Sequence, residues 1–228
     1  MLVKNWMSTP VVTIAEDDSM HKAIRLMSDH SIKTLPVLKN ERLVGIVTDR
    51  DLKRASASDA TTLAVYELLD LLSKIKIKQV MTKDPVTVHP EYTIEEAANL
   101  LRQKRISGAP VVDDHNRPVG VITKEDLFKV LSSITGVDRR GIQFAFEVED
   151  RPKAVMELTD IIRKYEGHVV SLYSTNENVP EGYRHVFIRA YRINREQLSS
   201  LEQDLKEKAT LLYLIDRRFF TRVIHNIN

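Results

Sequence analysis

Two short segments hold the residue types and spacing that can do chemistry: Gly45-Ile-Val-Thr48-Asp-Arg-Asp51 and Gly120-Val-Ile-Thr123-Lys-Glu-Asp126. In each, an apolar run leads into a helix whose first turn holds a hydroxyl and, three residues on, a carboxylate. A Thr-x-x-Asp step of this kind is an ordinary capping pair, in which side chains satisfy the amides that a helix start leaves open. The same geometry also suits a nucleotide. Amides at a helix start attract phosphate, the threonine hydroxyl can donate to it, and the carboxylate can accept hydrogen bonds from two vicinal ribose hydroxyls. One copy would be weak evidence for a ligand; two copies in matched frames weigh toward one. Arg50 stands beside Asp51 and can pair with phosphate, whereas its counterpart Glu125 cannot.

The two segments lie in a repeat. Shifting the chain by 74 superposes Lys4, Met7, Val12, Thr13, Ala23, Leu26, Ile32, Pro36 and Val37 on identical residues. After a one-residue slip in a polar stretch the shift becomes 75, and Arg42, Val44, Gly45, Thr48, Asp51 and Leu52 superpose in turn. An insertion at that point fits an exposed turn. The elements needed to position the motif follow from each copy. Val11 to Ile14 and Val86 to Val88 predict short strands. Ser19 and Thr93 predict helix caps, the second as the capping box Thr93-Ile-Glu-Glu96, and Ala23, Leu26, Met27 with Ala97, Leu100, Leu101 mark the buried helix faces. Leu35 to Leu38 with Leu43 to Val47, and Ala109 to Val112 with Val119 to Ile122, predict hairpins, and a second helix starts at Thr48 or Thr123. Each copy is thus β-α-β-β-α, too small to hold a core alone, and two copies are expected to pack as a pseudo-twofold pair. Thr62 to Ile75 predicts a connecting helix.

The rhythm changes after Leu131. Ser132 to Gly136 predicts a linker, Phe144, Phe146 and Val148 a strand, Pro152 a helix start and Gly167 its end. Val169 to Tyr173 and Val186 to Tyr191 are further strands, Asn194-Arg-Glu-Gln197 a capping box, and Leu211 to Ile215 a closing strand. The order β-α-β-β-α-β is the ferredoxin-like one. The expected organisation is α/β (α+β): units over 1–56 and 77–132 joined by 57–76, a ferredoxin-like domain over 139–217, and a tail over 218–228.

The doubled pattern Gly-h-h-Thr-x-x-Asp, each copy preceded by a Pro-Val strand, resembles CBS domains, whose paired form is the Bateman module. Val148-Glu-Asp-Arg-Pro-Lys-Ala-Val155 followed by a helix and Gly167 resembles the opening of an ACT domain. The first resemblance implies an adenine nucleotide (AMP, ADP or ATP) as regulatory ligand, bound between the sheet and second helix of each unit. Asp51 and Asp126 would hold ribose, and Thr48, Thr123 and Arg50 would meet phosphate, with Lys124 beside the second site. Backbone at Lys33, Thr34 and Leu35, and at Ser107, Gly108 and Ala109, would meet the base, with Thr13 and Thr87 flanking the adenosine. The second resemblance implies an amino-acid or regulatory interface over Asp150, Arg151, Pro152, Lys153, Ala154 and Val155. Lys153 departs from that pattern, standing where the family usually has Gly.

Composition narrows the function classes. The 228 residues carry 34 basic and 32 acidic side chains, a formal charge of +2, which offers no general attraction to nucleic acid or acidic lipid. With no cysteine there is no thiolate nucleophile and no sulfur-ligated zinc. The longest apolar run, Leu63 to Leu72, is broken by Glu67 and Asp70, so no membrane span is expected, and the start predicts no secretory signal; a cytoplasmic location is the expectation. Seven histidines show no metal-binding spacing, and no Walker loop, nucleophile elbow or dinucleotide fingerprint occurs. The expected function is a non-catalytic sensor of adenine nucleotides with no cofactor and no metal. The alternatives are an assembly adaptor with empty clefts or an S-adenosylmethionine sensor. A homodimer is expected from the apolar strand residues Phe144, Phe146, Val169, Phe187 and Ile188.

Overall fold

The computed structural model describes residues 1–59 and 72–225, in two compact units divided after Phe128. The first unit holds both repeat copies. Copy one is β1 (Ile14–Ala15), α1 (Met20–Asp29), β2 (Thr34–Lys39), β3 (Arg42–Thr48) and α2 (Asp49–Asp59); copy two is α3 (Ile77–Val80), β4 (Thr82–Lys83), α4 (Ile94–Gln103), β5 (Gly108–Val112), β6 (Pro118–Thr123) and α5 (Lys124–Thr135). The caps form as their sequence predicts: Ser19 Oγ accepts from Lys22 N–H, and Thr93 and Glu96 complete a capping box. Ala23 and Met27 on α1, and Ala97 and Leu101 on α4, are buried. Most of the predicted connecting helix lies outside the described residues; Leu72 to Lys74 of it are helical.

Each copy lends its leading segment to the other. Val3 N–H donates to the Tyr92 carbonyl at 2.8 Å, and 74 residues later Ile77 N–H donates to the Asp18 carbonyl at 2.9 Å. Lys4 to Pro90 and Lys78 to Glu16, then Ile94 to Met1 and Met20 to Ile75, repeat the correspondence. The exchange ends at sheets: Ser8 bridges Val121, and β4 pairs antiparallel with Gly45 and Ile46 of β3. This explains why the strands predicted at 11–14 and 86–88 are mostly unladdered. Only Ile14–Ala15 and Val88 pair, parallel to β2 and to Val111, because the residues before them are crossing from one copy's sheet to the other's. It also explains two glycines of the repeat. A Cβ on Gly45 would lie 2.5 Å from Met81 Sδ, and one on Gly120 would lie 2.5 Å from Met7 Sδ, so each glycine seats the methionine of the opposite copy. Lys78 further pairs with Asp17 at 2.7 Å, and that ammonium holds the Asp17 carboxyl below the usual range.

The predicted linker at 132–136 is helix instead. Nothing in Ser132-Ser133-Ile-Thr breaks the pattern, so α5 continues to Thr135 and stops where Gly136 takes φ +61°. The second unit follows: β7 (Ile142–Glu149), α6 (Ala154–Lys164), β8 (His168–Thr175), β9 (Tyr183–Tyr191), α7 (Leu198–Lys206), β10 (Thr210–Asp216) and β11 (Thr221–Ile224). The sheet order is β11-β10-β7-β9-β8, the ferredoxin-like arrangement with a fifth strand added at one edge. That fifth strand corrects the expectation of a four-stranded sheet and comes from the tail, which folds back antiparallel on β10.

Four local expectations need correction here. Helix α6 begins at Ala154, two residues after Pro152, because Lys153 adopts φ +71°. Gly167 is not the left-handed residue at the helix end; Glu166 is, at φ +61°, and Gly167 is needed because a Cβ there would lie 2.6 Å from Ile162 Cγ2 and 2.8 Å from its carbonyl oxygen. At Asn194 the side chain accepts from Glu196 N–H and opens a short 3-10 turn rather than a capping box. Phe144, Phe146 and Ile188 are fully buried in the cluster that includes Leu158, Ile162, Leu201 and Leu205 of α6 and α7, so they are not a bare sheet face. The opposite face is mixed: Gln143 Nε2 donates to the hydroxyls of Tyr173 and Tyr213, Arg189 Nη2 donates to Gln143 Oε1, and half-buried Phe187 stacks on Tyr173 with ring centroids 5.0 Å apart. Arg189 Nε and Ser171 Oγ both donate to the Thr135 carbonyl, closing the end of α5.

Candidate functional site

The doubled motif forms the same local structure twice. Asp51 Oδ2 accepts from Thr48 N–H at 3.0 Å and from Thr48 Oγ1 at 2.6 Å, while Asp51 N–H donates to Thr48 Oγ1. Asp126 and Thr123 repeat this at 2.9, 2.7 and 3.3 Å. The hydroxyl proton is therefore committed to the carboxylate. Two of the first three helix amides of α2 are also taken, Asp49 N–H by the Lys33 carbonyl and Asp51 N–H by Thr48. In this conformation a phosphate meets neither the threonine proton nor these amides, so its recognition falls to side-chain cations.

Those cations converge on one cleft of about 620 Å³ beside Asp51. Copy one supplies Lys33, Thr34, Thr48, Arg50, Asp51 and Arg54; copy two supplies Asp84 to Val86 and Arg105 to Gly108. Arg54 pairs with Asp51 Oδ1 at 3.0 Å and Lys53 with Asp49 at 2.9 Å. Lys33, Arg50 and Arg105 make no ion pair among the described residues and leave their N–H groups to the cleft. Asp51 thus stands among three cations that have no ion-pair partner, with Asp49 and Asp84 as the cleft's other carboxylates, over an apolar wall of Ile46, Pro85, Val86 and Ile106.

The two halves of the motif differ in access. The Asp51 side chain keeps 14% exposure. Asp126 is 3% exposed, with Ser8 Oγ, from the exchanged segment, 3.5 Å from its Oδ1. The structure also redistributes the residues of the two expected sites. Ser107 and Gly108, placed by the sequence in a second cleft, line the first together with Lys33 and Thr34. Leu35 and Ala109 are fully buried strand residues, Thr13 and Thr87 are half-buried and off the cleft wall, and Lys124 is exposed beside half-buried Thr123. Arg105 of copy two also lines the first cleft. Asp84 to Val86 had no signal of their own; the offset repeat could have revealed them, since they follow the segment exchanged between copies.

At the predicted C-terminal interface Asp150 and Arg151 are paired with residues of β9 and α6. Asp150 accepts from Arg184, and Arg151 forms a two-pronged pair with Glu157 at 2.8 and 2.9 Å that holds the Glu157 carboxyl below its usual range. Pro152 is exposed, Ala154 buried, Val155 packed on the core, and Arg151 and Ala154 border a hollow of about 390 Å³. The left-handed Lys153 gives a physical reason for glycine there: an L side chain in that region costs about 1–2 kcal/mol. Among the described residues, no group of three His, Asp or Glu stands ready to hold a metal ion, and no helix is long and apolar enough to cross a membrane.

The CBS domain model matches residues 3–58 and 77–133. A CBS domain-containing protein of Dictyostelium discoideum is 35% identical over 135 residues, which take in 59% of this chain and 93% of that protein. Inosine-5'-monophosphate dehydrogenase of Methanocaldococcus jannaschii is 40% identical over 120 residues, 52% of this chain, but the chain spans only 21% of that enzyme's length. Among solved structures, the CBS domain pair of protein MJ0100, in complex with 5'-methylthioadenosine and S-adenosyl-L-methionine, aligns with a TM-score of 0.51 at 30% identity over 61% of this chain and 98% of that one. A putative acetoin utilization protein (AcuB) from Vibrio cholerae aligns with a TM-score of 0.50 at 24% identity, covering 60% of this chain and 95% of its own, a likeness of fold alone. The exchanged segments, the doubled Thr–Asp step and the matched residues agree: the chain belongs to the CBS domain family, with a domain pair over residues 3–133.

Proposed function

We propose that the chain is a non-catalytic regulatory protein that senses adenine nucleotides in the cleft at Asp51. The observation that carries this reading is the ring of Lys33, Arg50 and Arg105, unpaired among the described residues, around a ribose-accepting carboxylate. Guanidinium groups suit phosphoryl oxygens, so the cleft favours ATP and ADP over AMP. Occupancy shifts the protein between arrangements that hold the ligand unequally, and the C-terminal unit or a partner reads the result. That unit serves as an ACT-like module without an amino-acid ligand, since Asp150 and Arg151 of its loop are already paired and Lys153 stands where a glycine would let a ligand reach the backbone. Two CBS units followed by an ACT unit is also the order expected of acetoin utilisation protein B, and a homodimer is its assembly.

One observation favours a second reading. The MJ0100 domain pair holds S-adenosyl-L-methionine and 5'-methylthioadenosine, which share the ribose and adenine that Asp51 and the apolar wall would recognise. Three cations oppose a sulfonium, however, and this sets nucleotide above sulfonium here. Calorimetry of the full-length protein with AMP, ADP, ATP and S-adenosylmethionine tests both. Affinity rising with phosphate number, and lost in an Arg50→Ala, Arg105→Ala variant, is the expected result. Tightest binding of S-adenosylmethionine would transfer the assignment to the second reading, and no binding of any of the four would end both.

A further inference from the structure

A second cationic hollow lies wholly within the C-terminal unit, where β7 begins and β9 and β10 end. It measures about 550 Å³ and is lined by Arg140, Tyr191, Arg192, Ile193, Arg195 and Arg218. Four of these six side chains are guanidinium cations, and no carboxylate joins them at the wall. Arg195 is neutralised: its Nε donates to Asp216 Oδ2 at 2.8 Å and its Nη1 to the Ile193 carbonyl at 2.6 Å. Asp216 is 3% exposed and also accepts from Arg218 N–H, so its charge is spent inside the fold. Arg140, Arg192 and Arg218 make no ion pair among the described residues.

Two of these free cations are held in place without being neutralised. The Arg192 guanidinium lies 5.5 Å from the centroid of the Tyr191 ring, and that of Arg218 lies 5.6 Å from the centroid of Phe219. A ring face steadies a guanidinium while leaving the N–H edge free to donate. Arg192 is moreover held at φ +61°, a conformation an L residue adopts at a cost. Tyr191 and Arg192 also border an adjoining hollow of about 750 Å³ beside His168.

Three unneutralised cations converging on one concavity repel each other unless an anion joins them. Planar N–H forks match phosphoryl oxygens two at a time, and a charge of three calls for more than one phosphoryl group; a single carboxylate would leave most of it uncompensated. The hollow is open to solvent and compact, with its three cations at one end of the sheet, which suits a small ion, whereas a nucleic-acid backbone needs an extended cationic track. We propose that this hollow is an anion site that takes a small soluble polyphosphate, separate from the cleft at Asp51 and independent of what that cleft binds.

The test uses full-length protein carrying Lys33→Ala, Arg50→Ala and Arg105→Ala, which strips the first cleft of its free cations, titrated by calorimetry with sodium tripolyphosphate and with orthophosphate. Tripolyphosphate is expected to bind at least about tenfold more tightly than orthophosphate, and to weaken as salt rises. Adding Arg140→Gln and Arg192→Gln, which keep the aliphatic stems, is expected to lower the affinity at least about tenfold, with circular dichroism unchanged. Absence of binding in the stripped protein, or binding indifferent to the two glutamines, would overturn the site while leaving the reading of the Asp51 cleft untouched. Flotation with vesicles of anionic phospholipid separates the other source of phosphate: protein that floats but gives no heat with tripolyphosphate also refutes the soluble ligand.

Discussion

Asp51 and Asp126 carry the same motif, make the same three hydrogen bonds to their threonines and differ in what lies over them. Asp51 faces the cleft with lone pairs to spare, while Asp126 is covered, with Ser8 at its second oxygen. Replacing either by alanine would remove a helix cap as well as a ligand contact, at about 0.5–2 kcal/mol of stability. Asparagine keeps an oxygen for the Thr48 amide and removes the charge, so Asp51→Asn is the cleaner probe. Hydrogen bonds to a charged acceptor contribute about 1.5–3 kcal/mol each; Asp51→Asn is therefore expected to weaken ATP about 10- to 100-fold, and Asp126→Asn to change it little. Equal losses in a calorimetric comparison would show that the covered carboxylate also takes ribose. The sequence identified both aspartates and set them apart by their neighbouring charges, Arg50 against Glu125, but not by access, because Ser8 stands 118 residues before its partner and nothing local to Asp126 announces a cover. Arg105 was hidden for the same reason: its place on the first cleft follows from how the copies exchange segments, not from its neighbours in the chain.

The exchanged segments make Gly45 and Gly120 the positions where the two copies are fitted together. At Gly45 a methyl group would meet Met81 Sδ at 2.5 Å and the Thr82 carbonyl oxygen at 3.0 Å, and the second of these contacts is backbone. The methionine can turn away; the carbonyl, held in the β3–β4 ladder, cannot. Gly45→Ala is expected to cost about 1–3 kcal/mol by overpacking, and to raise amide exchange selectively across residues 77–83. A variant with unchanged melting temperature and unchanged exchange there would mean that the seat is looser than its geometry. The elements themselves were largely legible, because caps and hairpins declare themselves locally: Ser19, Thr93 and both Pro-Val hairpins fall where their residues predict. Misreadings arose where a long-range contact decides. Helix α5 continues through Ser132 and Ser133 to a Thr135 carbonyl that accepts from Arg189 and Ser171, and β11 exists because β10 offers an edge to a tail with no strong pattern of its own.

For the whole molecule, the question is which apolar surface remains after each unit has closed its core. Of the strand residues expected to meet a partner, Phe144, Phe146 and Ile188 are covered by their own helices and Val169 packs on the same core, while Phe187 lies half-buried against Tyr173 on the other face. The hairpin β10–β11 takes their place: Phe219 is 60% exposed, Phe220 92% and Ile224 69%, and β11 stands at the edge of the sheet. An edge strand with free N–H and C=O groups is a template for another strand, and a twofold axis sets the same edge antiparallel to itself, which makes the contact self-limiting. Burying three large apolar side chains from each of two chains contributes about 9–18 kcal/mol. Association costs about 4–15 kcal/mol in lost freedom, so these side chains offset much of that cost and hydrogen bonds between the paired edges add to them. Light scattering at micromolar protein is expected to give twice the chain mass of 26.2 kDa. Phe220→Asp with Ile224→Asp is expected to return the single-chain mass without altering ATP affinity, because neither residue lies at the Asp51 cleft. A single-chain mass for the unaltered protein would refute the dimer, and a dimer that survives both aspartates would move its interface away from β11.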